Sequence, residues 1–269
     1  QFSSGYVATI NNLNLEKQQL IAKYNALSKD ANFLKEEQEP QPDNKWVVAI
    51  TSKDKNRAQL CSGVLIETTT VVTAKHCAIN EQGKKFQSIQ INAPGAKYSF
   101  PFNTSMELRN VTKVIAAKVI KNKWNNDEGD IAFLRIDKPF SNFELVKIGT
   151  PEQIATLKPW SLIKGYGYGT TGDGTSKYSE IPRRYDLSWG NDDHAVMGTL
   201  VFIASVSSMA CAGDSGGPVT GILDDGQEVL LGAAVSIGNK DSSGCEQVNL
   251  TRMYYLNFNL INPYLKLIK

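Results

Sequence analysis

From residue 46 onward, short stretches rich in Val, Ile, Thr and Tyr are separated at brief intervals by Gly, Asn, Asp and Pro. That rhythm predicts strands punctuated by turns, because β-branched residues suit a pleated surface and the punctuating residues supply turn geometry. Candidate strands fall at 46–51, 60–66, 71–74, 114–120 and 131–136, and a second set at 161–165, 199–205, 218–222, 229–236 and 253–258. Many short strands of this kind indicate an all-β sandwich or barrel. Residues 258–269 read as a terminal helix that Asn262-Pro263 either breaks or restarts.

The first 45 residues differ in kind. Leu13, Leu20, Leu27 and Leu34 recur every seven positions with charged residues between them, which predicts an amphipathic helix over 14–37. The complementary heptad positions hold Lys17, Tyr24 and Ala31, a poor seam for a coiled coil. The run from Glu36 to Pro42 then ends the helix and reads as a linker. Either this helix packs on the strands, or it is a pro-segment or an arm that contacts a partner.

Composition narrows the classes. A length of 269 residues suits one catalytic unit plus an extension. A formal net charge of +2 gives no reason to expect nucleic acid or anionic membranes as partners. No apolar run approaches the roughly 20 residues that a membrane helix requires. The chain begins at Gln1, which is compatible with removal of a signal peptide. Asn103-Thr104-Ser105, Asn110-Val111-Thr112 and Asn249-Leu250-Thr251 have the form of glycosylation sequons, which count only in a eukaryotic source.

The candidate chemistry centres on Gly213-Asp214-Ser215-Gly216-Gly217-Pro218, preceded by Cys211. A serine needs a base to take its proton and backbone N–H groups to meet the developing oxyanion. Gly213 allows close backbone approach to a carbonyl, and the N–H groups of Gly213 and Ser215 are the candidates for that role. The chain holds two histidines. His76 ends the apolar run Val71-Val72-Thr73-Ala74 beside Cys77, whereas His194 lies in the polar stretch Asn191-Asp192-Asp193 and reads as a solvated loop residue. Asp130 opens Ile131-Ala132-Phe133-Leu134, and a carboxylate carried into an apolar strand calls for a partner, here the His76 imidazole.

Taken together, Thr73 to Cys77, Asp130 to Leu134 and Gly213 to Pro218, in the order His, Asp, Ser, resemble the trypsin-like (chymotrypsin-fold) serine proteases. Ser62-Gly63-Val64-Leu65-Ile66, Gly165-Tyr166-Gly167 and Val235-Ser236-Ile237-Gly238 extend the resemblance over about residues 46–269. It implies two antiparallel six-stranded barrels: 46–156 carrying His76 and Asp130, and 157–269 carrying Ser215 and the terminal helix. It also implies a Ser215–His76–Asp130 triad that hydrolyses protein or peptide substrates through an acyl-enzyme, without metal or cofactor. Four cysteines permit three pairings. The resemblance selects Cys61–Cys77 and Cys211–Cys245, and hence a secreted or periplasmic protein; the competing reading is four free thiols in a cytosolic one.

Two departures from the family bear on activity. Its members are typically cut before an Ile-Val-Gly-Gly-like start, whose ammonium pairs with the Asp preceding the nucleophile, here Asp214. No such start precedes Trp46. Either the cut falls elsewhere, near 31–34, or Asp214 has another donor, or the chain stays zymogen-like and acts as a latent or binding homologue. Lys75, where a small residue is usual, has no assigned role. For specificity, Met209 occupies the position of the acid that binds Lys or Arg in trypsin-like members, so no preference for basic P1 residues is expected. Gly238 is expected to keep the pocket open and Ser236 to support the substrate backbone and Asp130. Met209 favours an apolar P1 side chain, whereas Arg252 at the pocket floor would favour an acidic one.

Overall fold

The computed structural model describes residues 44–55, 57–98, 107–117, 130–158, 161–170, 178–188, 199–204, 210–238, 250–255 and 258–269, with backbone only at 188, 199–204, 236–238, 250–255 and 258–262. The chain divides into two units, Gln1–Glu39 and Pro40–Lys269. The helix expected over 14–37 lies outside the described residues, as do His194, Met209 and Cys245. No helix among the described residues is long and apolar enough to cross a membrane.

Six strands form the first sheet: β1 (Val47–Asp54), β2 (Arg57–Glu67), β3 (Thr70–Thr73), β4 (Ser88–Asn92), β5 (Leu108–Ala116) and β6 (Ala132–Ile136). They are hydrogen-bonded in the order β1-β2-β3-β6-β5-β4, and β4 closes back on β1. The second sheet uses β7 (Leu162–Gly167), β8 (Arg183–Ser188), β9 (Thr199–Ala204), β10 (Pro218–Ile222), β11 (Glu228–Gly238) and β12 (Leu250–Tyr255). Its closed order, β7-β8-β9-β12-β11-β10, repeats the first with every index raised by six. Every strand pairing is antiparallel, and register shifts at Leu65/Glu67, Val111/Lys113, Val219/Thr220 and Ala234/Ser236 supply the local twist that a small closed barrel needs.

Several boundaries differ from the sequence expectation. β5 runs over 108–116 where 114–120 was expected, because its Ala116 pairs with Ala132 at the start of β6. Likewise β12 spans 250–255 where 253–258 was expected, its register set by Gly238 facing Leu250, while the terminal helix begins at Phe258 as expected. That helix, α2 (Phe258–Ile268), follows the one-turn α1 (Pro151–Ile154). It continues through Pro263 because its second half is held from the first barrel. Tyr264 stacks on Phe133 with ring centroids 5.1 Å apart, Ile268 is fully buried, and Arg135 donates to the Ile268 and Lys269 carbonyls at 3.3 and 3.2 Å.

One core cluster joins residues of both sheets, including Trp46, Val47 and Phe133 with Tyr166, Tyr168 and Leu230. Trp46 meets Tyr166 edge to face at 5.0 Å, the geometry that aromatic quadrupoles favour. The Tyr168 hydroxyl crosses the same boundary to the Ala96 carbonyl at 2.9 Å. Removing a large buried ring costs about 3–5 kcal/mol. Trp46→Ala should therefore lower the unfolding free energy by that order, read from denaturant curves followed by circular dichroism; a loss under about 1 kcal/mol would deny Trp46 a share in joining the two sheets.

Candidate active site

β3 delivers its chain to one end of the first barrel, where Ala74 stays extended and Lys75–Cys77 form a single 3-10 turn. Cys77 is bonded to Cys61 of β2, sixteen residues away, which fastens this turn to the barrel. By chain-entropy arguments a loop of that size is worth about 3 kcal/mol. The Ser52 hydroxyl adds a hydrogen bond to the Cys77 carbonyl at 2.5 Å. Cys61, His76 and Cys77 place donor atoms within 4.8 Å of one another, but the disulfide consumes both sulfurs and leaves a metal no thiolate.

His76 is held from three directions. Its backbone N–H donates to Asp130 Oδ1 at 2.9 Å, its Nδ1 meets Asp130 Oδ2 at 2.8 Å, and its carbonyl accepts from Gln59 Nε2 at 2.8 Å. A carboxylate can only accept, so Nδ1 carries a proton and, in the neutral imidazole, the lone pair falls on Nε2. Burial pushes the Asp130 carboxyl up, but the hydrogen bonds and charge of His76, with Lys75 nearby, outweigh it and hold the group below its ordinary 3.8. Lys75, without a role at the level of sequence, thus contributes to the field at Asp130.

Ser215 arrives from the second barrel, in the turn between the Cys211 region and β10. Its carbonyl accepts from the Ser62 N–H at 2.9 Å and lies 3.6 Å from Cys77 Sγ, so the turn abuts the residue next to His76. Ser62, fully buried on β2, is the hinge of this junction. Its hydroxyl donates to the Gly213 carbonyl at 2.8 Å and accepts from the Tyr168 N–H at 2.9 Å, while its carbonyl accepts from Thr73 Oγ1 at 2.7 Å. Gly213 and Gly216 have φ of 99° and 82°, in the left-handed region that favours glycine. A Cβ on Gly216 would fall 2.0 Å from Thr73 Oγ1, so only glycine lets the turn close against β3. Among the described residues, neither the Gly213 nor the Ser215 N–H donates to another backbone group.

Asp214 points the other way, into the second barrel, with 1% of its surface exposed. Its Oδ1 accepts from the Gly169 N–H and its Oδ2 from the Cys211 N–H, both at 2.7 Å. The Arg183 guanidinium of β8 stands 3.4 Å from Oδ2 and also donates to the Thr170 carbonyl at 2.7 Å. A Cβ on Gly167 or Gly169 would come within 2.5 Å of this carboxylate, whereas a Cβ on Gly165 would meet the Tyr185 ring at 2.0 Å, which accounts for the glycines of the Gly165-Tyr-Gly-Tyr-Gly run. Burial raises the Asp214 carboxyl above its ordinary value, against the opposing pull of Arg183 and the two backbone N–H groups.

Sequence reasoning selected His76, Asp130, Gly213, Asp214 and Ser215. Ser62, Thr73 and Gly167 stand in its motifs without a role, and Arg183, Gly169 and Gln59 do not enter it. Arg183 carried no signal in the chain, since its partner lies 31 residues away. Cys211 is disulfide-bonded, and its expected partner Cys245 lies outside the described residues. Of Ser236, Gly238 and Arg252 the structure describes backbone pairing, with Ser236 facing Arg252 and Gly238 facing Leu250 across β11 and β12.

A carboxyl held below its unfolded value stabilises the fold above that value, and the contribution is lost as pH falls through the folded value. Urea midpoints measured from about pH 2 to 6 should accordingly drop on the acid side of about 4. Asp130→Asn should make that part of the profile shallower; an identical acid limb in the variant would contradict the His76–Asp130 pairing.

Vitamin K-dependent protein C of Rattus norvegicus is 26% identical over 243 residues, covering 84% of this chain and 48% of that protein, so the chain spans about half the length of this relative. Trypsin zeta of Drosophila erecta is 27% identical over 242 residues, covering 82% of this chain and 78% of the relative. The solved structure of HL collagenase superposes with a TM-score of 0.65 over 85% of this chain and 95% of its own, at 17% identity, a likeness of fold alone. The Trypsin family profile matches residues 35–257, a span that contains the His76 turn, Asp130 and the Ser215 turn, and the chain belongs to the trypsin-like serine protease family.

Proposed function

We propose that this chain is a secreted serine endopeptidase. In this reading Ser215, His76 and Asp130 act as a triad between two barrel units, 46–156 and 157–269. The observation that carries it is the His76–Asp130 pair at 2.8 Å, which leaves Nε2 free as a base at the turn where Ser215 docks. Ser215 Oγ attacks the scissile carbonyl carbon and its proton passes to His76 Nε2. The carbonyl electron pair moves to oxygen, where the Gly213 and Ser215 N–H groups receive it. Collapse breaks the C–N bond and His76 protonates the leaving amine; water then repeats the sequence on the acyl-enzyme. Asp130 keeps the proton on Nδ1 throughout. The Cys61–Cys77 disulfide and the bonded Cys211 support an oxidising, extracellular or periplasmic compartment.

Fluorophosphonate labelling of the purified chain tests the triad. Wild type should label at one site, Ser215→Ala should not label, and His76→Ala should cut peptide kcat by about 10⁴-fold or more. Unchanged hydrolysis in either variant would contradict the assignment.

The specificity reading rests on the resemblance, which puts Met209, an uncharged and soft apolar residue, where trypsin-like members carry the acid that binds Lys or Arg. In a library varied at P1, Leu and Met should exceed Lys and Arg in kcat/KM. Efficient cleavage after Lys or Arg would overturn this, and a preference for Glu or Asp would transfer the pocket floor to Arg252.

A further inference from the structure

Asp214 immediately precedes Ser215, and its carboxylate anchors the turn that would receive the oxyanion. A carboxylate with 1% exposure cannot stay charged there unless it is compensated. Among the described residues its compensation comes from the N–H groups of Gly169 and Cys211 and from the Arg183 guanidinium. Arg183 is itself fixed, because it lies on β8 opposite Gly167 of β7 and its guanidinium also holds the Thr170 carbonyl. Thr170 in turn donates its N–H to the Ala212 carbonyl at 2.9 Å, one residue before Gly213. Cation, strand pair and turn therefore form a closed loop of hydrogen bonds around the Gly213–Ser215 peptide.

We propose that Arg183 is a positioning residue for this turn: by pairing with Asp214 it holds the Gly213 and Ser215 N–H groups in their receiving orientation in the uncut chain, so that no amino terminus freed by cleavage is needed to form the site. The proposal rests on the serine endopeptidase reading above and adds to it the way the site is ordered. All of the partners named for Asp214 lie on β8 or in the segments 165–170 and 210–217, within the second barrel. The carboxylate's oxygens and Cγ fill the space where Cβ atoms on Gly167 and Gly169 would stand, so these glycines admit it against their own backbone. The contact between Arg183 and Asp214 is made by one guanidinium nitrogen and is not a two-point fork, so a lysine ammonium at this position can replace much of it.

The experiment measures peptide hydrolysis and fluorophosphonate labelling on the full-length chain, its intactness verified by mass, for wild type, Arg183→Ala and Arg183→Lys. Uncut wild type should label. Arg183→Ala should lose about 10²-fold in kcat, the cost of a lost oxyanion donor, with KM changed far less. Arg183→Lys should recover at least a tenth of the wild-type rate, and millimolar ethylguanidinium should partly restore Arg183→Ala. That rescue separates a missing cation from a chain that fails to fold, because an unfolded chain gains nothing from it; a variant that neither the lysine nor the added cation restores overturns the role given to Arg183. Labelling of Arg183→Ala at the wild-type rate also overturns the proposal and leaves the endopeptidase reading intact. Wild type that labels only after its amino-terminal segment is cut has the same consequence. Wild type that labels in neither form overturns both.

Discussion

A carboxylate at the base of the Ser215 turn, almost wholly removed from water, dictates much of what surrounds it. Asp214 needs donors and a cation within reach, and it needs them where no side chain intrudes. The second barrel meets both needs around the end of β7. Gly167 of β7 and Gly169 just beyond it lack the Cβ atoms that would fill the carboxylate's place, Gly169 and Cys211 supply N–H donors, and β8 contributes Arg183 across from Gly167. Once that charge is fixed, the peptide from Gly213 to Ser215 has little freedom, and the residue that follows it, Gly216, can be pressed against Thr73 of the other barrel.

The two halves of the site are thus ordered by different devices that meet at Ser62. On the first barrel a disulfide and an Asp130 side chain fix His76 through both its backbone and its ring. On the second a buried ion pair fixes the turn. Ser62 satisfies the carbonyls of Gly213 and Ser215 with its hydroxyl and N–H, and its own carbonyl binds Thr73. A site divided between two closed sheets keeps its geometry only if their mutual placement is rigid, which is the part played by Trp46, Tyr166 and Tyr168 in the shared core.

What could be read from the chain was what local chemistry dictates. Strands such as 60–66 and 218–222 announce themselves because their β-branched residues are bounded by turn residues. The motif from Gly213 to Pro218 is legible because six adjacent positions are each constrained. β8 was missed because Arg183-Arg184-Tyr185-Asp186 reads as a charged loop, although Asp186 has 1% exposure and pairs with Arg184. β4, Ser-Ile-Gln-Ile-Asn, is short and half polar, and it is a strand because β1 pairs with it in closing the barrel. The ends of β5 and β12 were displaced for a related reason: a strand stops where its partner stops, which is information held elsewhere in the chain. Arg183 belongs to the same class, since nothing near it names Asp214.

On the proposal above, the uncut chain already holds the Gly213–Ser215 peptide ready for an oxyanion. The most direct measurement is a crystal structure of the full-length chain with a peptide aldehyde, whose hemiacetal oxygen reports where that charge resides. The account predicts this oxygen within about 2.7–3.1 Å of both the Gly213 and Ser215 N–H groups, with Arg183 still on Asp214. A hemiacetal oxygen pointing away from a turned Gly213 N–H, or Asp214 released from Arg183 to a new amino terminus, would contradict it.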